Sequence, residues 1–139
     1  MATLSAVRDA LKARLDVIAG LRVSDVFPEQ VSPPAAIIMP PQSGEFADYR
    51  LTFGGDLTRY DLDVLVIVGS GTFRSGQDAL DAYLTTSSTG SIQGAINADR
   101  TLGGKAITTF CGLAREYGGK EFARGEYLGA VVPVRIWTE

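Results

Sequence analysis

Along the first twenty residues Leu4, Val7, Leu11, Leu15 and Ile18 recur at steps of three and four, the period at which side chains line up along one face of a helix. The spacing predicts an amphipathic helix that Thr3 can cap at its start and Gly20 at its end. Two extended segments follow, Arg22 to Phe27 and Ala35 to Met39, flanked by Pro28, Pro33, Pro34, Pro40 and Pro41. Proline has no N–H to give to a ladder, so these residues delimit the strands and put at least one of them near a sheet edge.

From Phe46 to Phe53 aromatic and β-favouring residues dominate, Gly54-Gly55 interrupts them, and an extended pattern resumes from Thr58 to Val68. The pattern predicts a long β-hairpin, an arm spanning about residues 44–68. In its second half Asp61 and Asp63 fall on one face and Tyr60, Leu62 and Val64 on the other. From Val64 both faces turn apolar, so the strand enters from a polar margin and ends in the core. After a loop at Gly69 to Thr72, Ser75 followed by Asp78 reads as the start of a helix carrying Ala79, Leu80, Tyr83 and Leu84. Ser91 can cap a shorter helix with Ile92, Ala95 and Ile96 on one side; Gly94 within it costs about 1 kcal/mol relative to alanine. Two last strands, Ile107 to Tyr117 and Tyr127 to Thr138, flank a loop expected at Gly118 to Glu126. The order α-β-β-β-β-α-α-β-β predicts one α+β domain over residues 1–139: a mixed, mostly antiparallel sheet packed with an N-terminal helix and two central helices.

Composition narrows what such a domain can do. The 139 residues carry 13 basic and 16 acidic side chains, a net charge of −3, which gives no broad footprint for gripping nucleic acid by its phosphates. There is no histidine, which removes the commonest general base, the commonest zinc ligand and every histidine-dependent triad. A single cysteine, Cys111, allows no intrachain disulfide and suits a reducing compartment. The apolar runs at Ala35 to Met39 and Val64 to Val68 are too short to span a bilayer, and no signal peptide is expected.

Three places could carry chemistry, and each has a duller reading. Gly69 to Gly76 is rich in glycine between a strand and a helix, as a phosphate-binding loop would be. Its glycine spacing fits no dinucleotide fingerprint, however, and the phosphate-loop lysine is missing. Asp61 and Asp63 project from one strand face with α-carbons roughly 6–7 Å apart, a spacing that serves glycoside hydrolysis or a hard cation. No further ligands accompany them, so a solvated strand end or a subunit contact is the plainer reading. Cys111 has no histidine to activate it and reads as a small, at least half-buried strand residue. The expectation is a chain with no catalytic residue, cofactor or metal.

Residues 44–53 (GEFADYRLTF), 59–66 (RYDLDVLV) and 73–84 (FRSGQDALDAYL) resemble the tail terminator proteins of long-tailed, siphovirus-type actinobacterial phages, and the similarity extends over nearly the whole chain. The resemblance implies a homo-oligomeric ring, usually a hexamer, at the head-proximal end of the virion tail, assembled in the bacterial host's cytoplasm. Such a ring caps the tail tube, ends its polymerisation and joins tail to head. Its implied partners are further copies of itself, the major tail tube protein, head–tail connector or neck proteins, and transiting genomic DNA without sequence-specific binding; no membrane is involved. Other neck, tail-completion or head-closure proteins share this size and lack of chemistry, and a small phosphate- or metal-binding enzyme domain is the alternative of a different class.

Two sets of residues follow as assembly candidates. A hairpin of about eight residues per arm reaches about 25 Å, long enough to complete a neighbour's surface, which makes Phe46, Tyr49, Phe53 and Tyr60 candidates for the subunit boundary. Within a single sheet they would be ordinary packing. A channel through which DNA slides should carry acidic or neutral groups, so Glu45, Asp48, Asp56, Asp61 and Asp63 are candidates for its lining.

Overall fold

The computed structural model describes residues 4–18, 21–24, 34–40, 47–48, 58–69, 74–85, 90–112, 114–122 and 125–138, with the backbone alone described at 47–48, 74–77, 79, 116, 119–122 and 125–126. Among these the order is α1 (Leu4–Leu15), β1 (Arg22–Ser24), β2 (Ala35–Met39), β3 (Ala47–Asp48), β4 (Thr58–Val68), α2 (Arg74–Leu84), α3 (Ile92–Ala98), β5 (Thr108–Cys111), β6 (Arg115–Phe122) and β7 (Gly125–Thr138). The strands form one seven-stranded sheet along the path β1-β2-β4-β7-β5, with β3 paired to β4 and β6 to β7. Among the described strands only β1–β2 is parallel; β4 pairs antiparallel with β2, β3 and β7, and β7 with β5 and β6. The α+β class expected from the pattern is the one observed, and β1 ends the path among the described residues; it is described over Arg22–Ser24, and the rest of the strand expected to reach Phe27 lies outside them.

The helical stripe behaves as its spacing requires. Val7, Leu11 and Leu15 are wholly buried, and Ile18 joins them from the turn beyond the helix. They pack with Leu80 of α2, with Ile92, Ala95 and Ile96 of α3, and with the sheet face formed by Ala36, Ile38, Leu62, Val64, Val66, Val132, Val134 and Ile136. The opposite face holds a smaller cluster of Ala35, Ile37, Leu65, Ile67 and Val131, which no described helix side chain joins. β4 is therefore apolar on both faces from Val64 onward because it runs through the middle of the sheet, between β2 and β7.

Several boundaries differ from expectation. The hairpin before β4 exists, but its described pairing is Ala47 with Tyr60 and Asp48 with Arg59, and all of β4 is paired to β7. The second half of the expected arm is thus a central strand; residues 44–46 and 49–57 lie outside the described residues. α2 begins at Arg74, so Ser75 stands inside the helix rather than capping it. Ser91 does cap α3, its hydroxyl accepting the Gly94 N–H at 3.0 Å; the helix-weakening glycine supplies the capped donor.

The expected strand Ile107 to Tyr117 is two strands, and most of the expected loop at 118–126 is the β6–β7 hairpin, whose last pair is Phe122 with Gly125. Both departures trace to β7. Pro133 lies in its interior, and the Pro133 carbonyl accepts the Gly112 N–H at 2.7 Å on the β5–β6 side. Carbonyl and ring nitrogen of one strand residue face the same neighbour, so the missing donor falls where β5 and β6 are interrupted and leaves the β4 ladder intact. A register shift between Arg115 and Gly118 forms a bulge, and Gly118 sits at φ +153°, backbone that favours glycine.

Candidate functional site

The sheet face away from the helices carries the charged end of β4. In register across the strands stand Arg59 with Trp137, Asp61 with Arg135, and Asp63 with Pro133; Phe110 of β5 stands beside Arg135 and Thr108 beside Trp137. Asp63 is 2% exposed, and its Oδ2 accepts a hydrogen bond from the Arg115 guanidinium at 2.6 Å. Asp61 is half-buried, with its Oδ1 3.2 Å from Arg59 Nε and 3.8 Å from Arg135 Nε. Those two contacts are ion pairs without hydrogen-bond alignment. The carboxylates share a face, as their spacing dictates, and both are turned to arginines. That geometry serves charge neutralisation of a sheet face and leaves no open pair for a cation or a sugar. Among the described residues no group of three or more potential metal ligands converges.

Aromatic side chains extend this surface. Phe110 and Trp137 meet edge to face, ring centroids 5.3 Å apart at 86°, and the Arg100 guanidinium lies 5.4 Å from the Phe110 centroid, within cation–π range. Phe110, Gly112, Arg115, Pro133, Arg135 and Trp137 line a shallow groove of about 580 Å³. Phe110 remains 44% exposed. The β5–β6 interruption opens this groove, and the sequence pattern alone concealed it by reading one continuous strand there.

On the helix side of the same sheet, the Tyr117 hydroxyl donates to Asp81 of α2 at 2.8 Å, although the ring is 49% exposed. That hydrogen bond holds the phenol above its usual pKa of 10, with burial and the charges of Asp81 and Asp78 acting in the same direction. Cys111 is half-buried against the main core, and desolvation pushes its thiol up to about 11. It is a packed, protonated side chain at neutral pH and not an activated nucleophile.

The remaining candidates distribute as follows. Tyr60, a candidate for the subunit boundary, is 9% exposed and packs in the main core, on the sheet face that meets the helices of its own protomer. Asp63, a candidate for the channel lining, is buried beneath Arg115. Asp61 shares its negative charge with two arginines. Asp48 stands opposite Arg59 in the β3–β4 ladder. Phe46, Tyr49, Phe53, Glu45 and Asp56 lie outside the described residues, as do 70–73 of the glycine-rich loop. No described helix is long and apolar enough to cross a membrane.

No protein-family model matches the chain, and no curated protein matches its sequence.

Proposed function

We propose that this chain is a tail terminator of a long-tailed phage: a structural protein that closes into a ring, six subunits by the family's habit, caps the tail tube, ends its growth and offers the surface that joins the head. The observation that carries this reading is the resemblance over residues 44–53, 59–66 and 73–84. Two of those segments fall largely on β4 and α2, which pack together in the main core, so the similarity follows a contiguous unit of an α+β fold of the kind the family implies. The pairing of Asp61, Asp63 and the neighbouring arginines agrees with a role played by contact rather than by catalysis.

Within the ring, the channel is lined by acidic or neutral groups, for which Glu45, Asp48 and Asp56 are the remaining candidates, so that DNA passes without a phosphate grip. A terminator continues the rotational symmetry of the tube on one face and closes upon itself through heterologous contacts. Mass measurement across concentrations, with imaging of isolated tails, tests the proposal. A closed oligomer in solution, and the same ring at the head-proximal end of the tube, is the expected outcome. A strict monomer in both settings overturns it, and a ring found instead within the head-side neck favours the closely related connector reading.

A further inference from the structure

The exposed aromatic side chains of the described residues fall in two patches of opposite charge on opposite faces of the sheet. The first is the groove beside Phe110 and Trp137. Its acids lie low, with Asp61 23% and Asp63 2% exposed, whereas Arg135 is 57% and Arg115 37% exposed. Arg100 stands over the Phe110 ring. Solvent therefore meets guanidinium groups and aromatic rings. The second patch is Tyr117, half out in solvent, with the exposed Asp78 and Asp81 one turn apart on α2. It is an aromatic ring rimmed by carboxylates.

Because α2 packs on the helix side and Phe110 stands on the other face, the two patches cannot meet within one protomer. Contact between them is intermolecular and joins two different surfaces, the heterologous kind from which rings are built. We infer that the arginine-lined groove at Phe110, Arg135 and Trp137 receives the Tyr117, Asp78 and Asp81 patch of a second copy of this chain. The inference rests on the ring reading above and names the surfaces that would close the ring.

Charge complementarity favours this occupant. The chain carries three more acids than bases, so a cationic groove on it is matched by its own excess of carboxylates. A burial-resistant rim of aspartate and a tyrosine ring also suit a site offering guanidinium edges and aromatic faces, where arginine and tyrosine commonly anchor interfaces. A single-stranded nucleic acid would find stacking rings and arginines here too. It would also find Asp61 and Asp63 in the floor and a net negative molecule around them, both repelling phosphate.

The test is a charge swap in the full chain. Arg135→Glu and Asp78→Arg, each alone, should raise the concentration at which rings dissociate about tenfold or more, and the double variant should return it to within about threefold of wild type. Thermal melting of each variant shows whether it folds; should Arg135→Glu unfold beside Asp61, Arg100→Glu in the exposed loop takes its place in the same swap. Wild-type rings with single variants that assemble equally well overturn the contact and leave the ring reading standing. A wild-type chain monomeric at every concentration and forming no ring on isolated tails removes the ring reading and the contact with it. Tight binding of a fluorescent single-stranded oligonucleotide, lost in Arg135→Glu while the rings persist, assigns the groove to nucleic acid and overturns the inference.

Discussion

Asp63 shows how a single side chain changes meaning between sequence and structure. Its spacing from Asp61 is that of a catalytic or cation-binding pair, yet its carboxylate lies buried beside Pro133 and bonded to Arg115. A buried charge is tolerated where it is paired, and removing one partner is worse than removing both. Arg115→Ala should therefore destabilise the fold by about 2–3 kcal/mol, below the roughly 3–5 kcal/mol for a fully stranded buried charge because Arg115 itself is partly solvated. Replacing Asp63 and Arg115 together with leucine and methionine should recover most of that loss. Denaturant unfolding checks both. A single variant as stable as wild type would mean that the pair is only a surface ion pair. Arg115 was not legible beforehand as this partner: 52 residues separate it from Asp63, and the β4–β7 and β6–β7 registers together bring the two into contact.

Among the elements, β2 and β4 were legible to the residue, and the apolar stripe of α1 was legible although the helix ends at Leu15, short of the expected cap at Gly20. The α1 stripe, β2 and β4 follow from spacing and β-branched content, because each packs against the core along its length. The Ser91 cap was legible because its partner is three residues away. What escaped was set by long-range neighbours. The division of β5 from β6, and the strand where a glycine-rich loop was expected, depend on Pro133 of β7 and on its partners across the ladder. Gly112 is the contact point: a Cβ there would lie 2.9 Å from Pro133 Cγ. Gly112→Ala should cost about 1–3 kcal/mol, as overpacking does. Adding Pro133→Ala should relieve the clash and make the double variant more stable than the sum of the single effects. Strict additivity in thermal unfolding would place the Gly112 requirement elsewhere.

At the scale of the whole molecule, one sheet face is covered by three described helices and the other exposes arginines and aromatics around a groove. That asymmetry suits a subunit with two different neighbours, as a ring member has. The proposed assembly rests on resemblance alone, since subunit number and interface geometry leave no periodicity in a sequence. If the proposed ring forms, changing Glu45, Asp48 and Asp56 together to lysine should leave tails morphologically complete yet slow genome ejection, most strongly at low salt, where a phosphate grip is least screened. Ejection rates unchanged at low salt would remove these residues from the channel. The central claim, that the chain ends tube growth, is tested most directly by adding the purified protein to tail tube protein from the same phage while tubes elongate. The account predicts that lengthening stops at once and that imaging finds one ring on the growing end of each arrested tube. Tubes that lengthen at the same rate with the protein present, and carry no ring, would contradict it.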